Sequence, residues 1–265
     1  MTETYEVYAI RYGTVERPDR QNFLEARDPH DRMARIDYFV WAAIGPDRTF
    51  VIDTGFTEEI AKRRNRPLLR CPTEGLRLIG IEAATVRDVI VTHMHYDHLG
   101  GFDRFPAATF HLQDREMAYA TGRHMTHRAF NAAYDIDPVV GLVREVYDGR
   151  VKFHDGDAEL APGFSLHLIG GHTAGMQVAR VHTARGWVVL ASDASHLYAN
   201  MEEGNPFPII HDMGAMFDGY ETLRRLADSD RHIIPGHDPQ VMERYPAAGP
   251  GLEGIAVRLD VEPSA

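Results

Sequence analysis

Cysteine is almost absent: Cys71 is the single one in 265 residues. One thiol forbids an intramolecular disulfide and is compatible with a reducing compartment. Long apolar runs are missing too. The cleanest, such as Trp187 to Ala191, fall far short of the ~20 residues a membrane helix needs, so no membrane partner is expected. The opening residues, Met1 to Glu6, are acidic and lack the basic-then-apolar order of a signal peptide, which makes the cytoplasm the expected location. Positive charge is also short. Lys and Arg number 28 against 39 Asp and Glu, a formal net charge of −11. Such a chain offers no basic face to neutralise phosphates, and nucleic acid is not an expected partner. There is no repeat, low-complexity tract or Ser/Gly-rich linker, so residues 1–265 read as one domain.

What the chain has in excess is histidine, 15 residues in all. Short β-like runs surround them: Thr4 to Tyr12, Asp37 to Ile44, Thr49 to Ile52, Asp88 to Val91, Thr109 to Leu112, Ser165 to Ile169, Gln177 to His182, Trp187 to Ala191 and His232 to Ile234. The second and third are joined by Gly45-Pro46-Asp47-Arg48, which predicts a hairpin. Helices are predicted over Thr57 to Arg66, Asp114 to Ala120 and Pro138 to Tyr147. Met216, Tyr220, Leu223 and Ala227 recur at helical spacing and form a core-facing stripe. Strands in runs with interspersed helices imply an α/β fold with two sheets and helices outside them.

The chemistry concentrates after Asp88 to Val91, in Thr92-His93-Met94-His95-Tyr96-Asp97-His98, which ends at Gly100-Gly101. Three histidines and an aspartate within six residues do not share one face of a helix or strand. They converge if the segment is a loop at a strand end. Imidazole and carboxylate suit Zn²⁺, Mn²⁺, Fe²⁺ or Co²⁺, and the pattern does not choose among them. Isolated histidines such as His30, His111, His154, His167, His182 and His232 are read as ordinary polar residues.

Thr92-His93-x-His95-x-Asp97-His98-x-Gly100-Gly101 resembles the signature of the metallo-β-lactamase superfamily. Asp53-Thr54-Gly55, Gly171-His172-Thr173-Ala174-Gly175, Ser192-Asp193-Ala194 and Pro235-Gly236-His237 resemble its further elements, in the same order. The resemblance implies a four-layer αββα sandwich of two mixed sheets. It implies two divalent metal ions, most readily zinc, one held by His93, His95 and His172 and the other by Asp97, His98 and His237. Asp193 would bridge them and Asp53 would orient a ligand histidine.

Within that superfamily the chain is similar to N-acyl homoserine lactonases. No cysteine lies near position 193, as some β-lactamases require, and no basic residues surround the motifs, which disfavours a phosphate substrate. This likeness implies a metal-dependent hydrolase that opens a small lactone by attack of a hydroxide held between the metals, and it allows a homodimer. Other carboxyl esters, cyclic amides and phosphodiesters are the second reading of the same site, and a non-hydrolytic metal-binding or redox protein is the third. The lactonases carry a tyrosine three residues after the bridging aspartate. Here that position is His196, with Tyr198 two further on, so these two are the expected partners of the substrate oxygen. Asp97 and Asp193 are the expected proton carriers. The pocket is expected to draw on Asn22-Phe23, the stretch from His124 to Tyr134, Phe207 between its prolines, and His211. Helices between about residues 114 and 147 could cap it.

Overall fold

The computed structural model of the protein describes residues 2–27, 30 and 32–264. Among these, one sheet contains β1 (Glu6–Pro18), β2 (Met33–Ile44), β3 (Thr49–Ile52), β4 (Asp88–Ile90), β5 (Thr109–Gln113) and β6 (Val151–His154). The other contains β7 (Ala158–Ala161), β8 (Phe164–Leu168), β9 (Gln177–Thr183), β10 (Gly186–Ser192) and β11 (Ile233–Pro235), while β12 (Ala256–Arg258) returns to the first. The sheet orders are β12-β1-β2-β3-β4-β5-β6 and β11-β10-β9-β8-β7. Both are mixed: β3 to β6 run parallel, as do β10 and β11, and the remaining pairs are antiparallel.

Alternation decides the layering. Along β2, Phe39, Trp41 and Ala43 face the second sheet, and Tyr38, Val40 and Ala42 face the opposite way. Both sets are buried, because helices cover the outer face of each sheet. The inner core joins Tyr5, Val7, Phe50 and Ile52 to Phe164, Leu166, Val181 and Leu190. Outside the first sheet lie the helices Glu58–Arg64, Pro72–Leu78 and Ile136–Tyr147. Outside the second lies the helix Met213–Leu226, with Met216, Tyr220 and Leu223 inward as their spacing requires. The result is the expected four-layer α/β sandwich.

Two differences from the sequence reading matter for the site. β1 runs on to Pro18 and β2 starts at Met33, so their pairing continues through an irregularity between Arg11 and Gly13. Gly13 and the charged residues after it break the local alternation, and only the partner strand sustains the extension. The helix predicted to Arg66 stops at Arg64, because Asn65 adopts a left-handed conformation (φ 50°) and turns the chain. The strands β6, β7 and β12 are each three or four residues long and carry too short a pattern to be seen without their neighbours. The stretch from Asp114 to Tyr147 is the crossover between parallel β5 and β6.

Phe164 is almost fully buried and stacks on Phe50 across the sheets, with ring centroids 4.0 Å apart. Phe164→Ala is expected to lower stability by about 3–5 kcal/mol, measured by urea unfolding against the wild type.

Candidate metal centre

The histidines and aspartates converge at the ends of strands. Asp53 follows β3, His93 to His98 follow β4, Asp193 follows β10 and His237 follows β11, while His172 lies in the β8–β9 connection. Parallel strands end on the same side, so the open end of both sheets collects these loops, as ligand sites in α/β folds do. The backbone ties the loops together: Thr54 N–H donates to His98 O at 2.7 Å, and Gly236 N–H and His237 N–H donate to Ser195 O and His196 O, both at 2.9 Å.

Asp53 and Glu116 are the buried anchors. Asp53 accepts from Thr92 N–H at 2.8 Å, Thr92 Oγ1–H at 2.9 Å and His98 Nδ1–H at 2.7 Å. It does so from a left-handed backbone (φ 62°), and Ser192 beside Asp193 shares that strain (φ 45°); such strain persists only where the surroundings enforce it. Glu116, at the start of the helix Asp114–Ala120, holds both histidine loops. Its Oε1 accepts from Met94 N–H (2.9 Å) and Tyr134 Oη–H (3.1 Å), and its Oε2 from Thr173 Oγ1–H (2.6 Å) and Gly175 N–H (3.1 Å). Gly175 must be glycine, because a Cβ there would lie 2.1 Å from the Glu116 nitrogen. Gly171 has φ +81° and its Cβ would meet the Met216 backbone at 2.6 Å.

Hydrogen bonds fix which ring nitrogens are bare. Nδ1–H of His98, His172 and His237 donates to Asp53, to Ile209 O (2.7 Å) and to Asp37 O (2.8 Å) respectively, and His93 Nδ1 lies 3.1 Å from Thr92 Oγ1. Each ring is thereby left with Nε2 as a lone pair. These lone pairs meet at the centre: His95 Nδ1 is 3.0 Å from His93 Nε2 and 3.1 Å from His172 Nε2. One Asp193 oxygen faces His172 (3.3 Å) and His93 (3.7 Å), and the other faces His237 (3.0 Å) and His98 (3.2 Å). Asp97 Oδ2 stands 3.8 Å from both His98 and His237.

Burial pushes His93 and His95 well below the ordinary imidazole pKa, so both are neutral donors. Burial also opposes charge on His98, but Asp193, Asp53 and Asp97 outweigh it and raise its pKa. The carboxylates thus draw positive charge into a dry centre. His98 Nε2 and one Asp193 oxygen have no hydrogen-bond partner. Bare nitrogens crowded at hydrogen-bond distance around unsatisfied carboxylate oxygens fit cations in place of protons. Among the described residues the donors fall into three overlapping groups, His93, His95, His172 and Asp193, then Asp97, His98 and His237, then Asp193, His196 and His237, and Asp193 faces both His98 and His237 as well as His93 and His172. That set fits two divalent ions.

The sequence profile of the metallo-beta-lactamase superfamily matches residues 37–237. The chain belongs to that superfamily. N-acyl homoserine lactonase AttM of Azorhizobium caulinodans is 29% identical over 178 residues, covering 65% of this chain and 66% of the relative. N-acyl homoserine lactonase AiiA of Bacillus thuringiensis subsp. kurstaki is 28% identical over 165 residues, covering 62% and 60%. The alignments thus span no more than about two thirds of these relatives. Solved structures extend the likeness of fold. An N-acyl homoserine lactone hydrolase with N-hexanoyl-L-homoserine at its catalytic metal centre superposes with a TM-score of 0.75 at 21% identity, covering 92% of this chain and 96% of that one. The dizinc quorum-quenching lactonase AidC superposes at 0.69 and 16% identity, covering 90% and 92%.

In this member of the superfamily a cavity of about 170 Å³ opens over the centre. Its walls include His95, Asp97, Asp193, His196 and His237. Phe207 lines it as expected, and Ala132 and Ala133 are the part of the β5–β6 crossover that reaches it. His196 lies flat on Phe207, with centroids 3.7 Å apart and an interplanar angle of 1°. Its Nε2 is 3.0 Å from Asp193 Oδ2. Burial pushes this imidazole down to about 3, and a neutral ring whose Nε2–H donates to Asp193 has only an acceptor left at Nδ1. His196 thus lines the cavity in contact with Asp193, and its Nδ1 has no hydrogen-bond partner among the described residues.

Tyr198 does not reach the cavity. Its ring is in the core between the sheets under the Arg244 guanidinium, 3.9 Å away, and its N–H donates to Asp238 (3.0 Å) at the start of a short helix. Asn22 and Phe23 are buried but line no part of the cavity. His211 packs with Tyr119 and His124 around a separate surface hollow. His111 is bonded to Asp88 and His154, both at 3.0 Å, as an ordinary polar residue. The sequence reading missed Glu116, whose carboxylate sits among unremarkable helix residues. It also missed Arg17, Tyr38, Arg64 and Arg66 around the cavity, which lie far from the motifs along the chain.

Glu116→Ala leaves four donors without their acceptor and is expected to weaken metal binding about 10- to 100-fold, measured by competition with a chromogenic chelator.

Proposed function

We propose that the protein is a dinuclear metal-dependent hydrolase that opens lactones. The two faces of Asp193 carry the reading: each oxygen meets a different set of bare histidine nitrogens, with Asp97 beside the second. His93, His95 and His172 would hold one ion, Asp97, His98 and His237 the other, and Asp193 would be shared. Zinc is the preferred metal, because the donors are imidazole and carboxylate and the structurally similar AidC is dizinc. When bound, two such ions supply Lewis acidity and a water that ionises near neutral pH.

The chain's own residues divide the remaining work. Asp53 and Glu116 hold the donor loops rigid. Phe207 and His196 form a flat wall on one side of the cavity, and Tyr38 closes another side with its ring 5.2 Å from that of His237. Asp97 and Asp193 are the carboxylates placed to take the proton of the attacking water and pass it to the leaving alkoxide. A lactone retains that alkoxide on the same molecule, and one small cavity suffices for both ends of the reaction. The similarity to N-acyl homoserine lactonases supports a cyclic ester over the other bonds. A volume of about 170 Å³ lies below the range of roughly 300–1,000 Å³ usual for drug-sized ligands, so the substrate ring and its nearest substituent fill it.

His172→Ala and Asp193→Ala are expected to lose bound metal and lactone hydrolysis together, by elemental analysis and a pH-indicator assay over lactones of varied ring and tail. Chelation should abolish hydrolysis, and added Zn²⁺ should restore it. A metal-replete enzyme that releases acid from none of these lactones sinks the reading.

A further inference from the structure

Three arginines share the cavity with the metal-binding cluster, and two of them, Arg17 and Arg66, have no carboxylate partner among the described residues. Arg17 arrives on the extension of β1 and Arg66 on the turn that Asn65 forces after the helix Glu58–Arg64. The third arginine of the cavity, Arg64, is spoken for: it donates to Ala132 O at 2.9 Å and to Tyr134 O, and its Nε lies 3.8 Å from Asp135. Arg17 and Arg66 are different. Among the described residues neither forms an ion pair. Arg17 spends Nη2 on Gln21 O (2.8 Å), and its buried Nε has no partner. Arg66 spends Nε on the Tyr96 hydroxyl (3.2 Å) and Nη1 on the Arg64 and Asn65 carbonyls (3.1 and 3.4 Å).

A guanidinium is charged at every working pH and is costly to bury without an anion. Burial, and in smaller part the charge of Arg66, lower the pKa of Arg17. Two like charges therefore face one half-enclosed cavity in a chain whose net charge is −11. Among the described residues the only acidic side chains lining that cavity, Asp97 and Asp193, belong to the histidine cluster. The Arg17 guanidinium lies over the Phe207 ring, 5.0 Å from its centroid, and Phe207 stacks on His196. One continuous wall thus runs from the bridging aspartate to the free guanidinium donors.

We propose that Arg17 and Arg66 form an anion subsite beside the metal centre, and that the substrate is a compact lactone bearing a carboxylate, which they bind while the ring ester lies over Asp193. This rests on the lactonase reading and names its substrate class. The carboxylate matches a guanidinium fork, and the small cavity requires both groups on one short molecule.

The test uses zinc-loaded enzyme and two matched substrates, γ-butyrolactone bearing a γ-carboxylate and its primary amide. The acid should be preferred in kcat/KM by at least about tenfold. Arg17→Gln and Arg66→Gln, on separate elements, should each collapse that ratio roughly 10- to 100-fold through KM, and Arg66→Lys should restore part of it. Calorimetry gives a readout independent of turnover. The ring-opened diacid should bind the wild type more tightly than the ring-opened monoamide, and the two Gln variants should lose that difference. Equal preference for acid and amide, or a ratio unmoved in both variants, overturns the subsite while leaving lactone hydrolysis intact. If no lactone is hydrolysed, calorimetry decides alone: an unchanged difference between diacid and monoamide overturns the subsite, and its loss in both variants upholds it. A matched lactone carrying a phosphate monoester and turned over better than the acid overturns the carboxylate assignment.

Discussion

Everything at the open end of this fold is arranged around the two oxygens of Asp193. Nitrogens of His93, His98, His172 and His237 point at them from three loops, with their Nδ1 protons turned to oxygen acceptors behind each ring, and His196 Nε2 joins them. An assembly of lone pairs and carboxylates in a dry site demands positive charge, from protons on rings such as His98 or from a cation. Folding has to hold these loops in register for either. Asp53 and Glu116 do this with short bonds to backbone and hydroxyl donors, and backbone strain at Asp53 and Ser192 is confined to the same few ångströms.

The sandwich supplies the rigidity this requires. Loops from both sheets must keep register with one another, and the apolar layer between the sheets, from Trp41 and Phe50 to Phe164 and Leu190, locks the two halves together. The covering helices do more than shield apolar surface. The helix Asp114–Ala120 contributes Glu116, and the turn after Glu58–Arg64 contributes Arg66. The crossover that follows Glu116 brings Tyr134 against His95, with ring centroids 4.6 Å apart. Structural covering and site construction are thus the same residues.

The two arginines give the cavity a polarity opposite to that of the whole chain. Net charge reports solubility and long-range attraction. It says little about a cavity of about 170 Å³, where three guanidiniums and a few phenols define the local field. An acidic protein can in this way carry an anion-selective pocket, and the cations of the metal centre would deepen that preference.

Some of this was legible in the residue order alone. The run from His93 to His98 is dense enough that convergence at a strand end is its simplest conformation, and the later elements around His172, Asp193 and His237 resemble a family whose fold follows. Alternation marked the longer strands, and the spacing of Met216, Tyr220 and Leu223 marked one covering helix, because those patterns are local. Folding alone decided what depends on distant segments meeting. Tyr198, two residues from His196, sits in the core with its N–H on Asp238, while Arg17 travels along an extended β1 that exists only through pairing with β2. Glu116 acquires its role from two loops that approach it from elsewhere in the chain. Candidate ligands are marked by side-chain type and spacing and so can be read in sequence; the lining of the cavity is a property of packing, which no local pattern records.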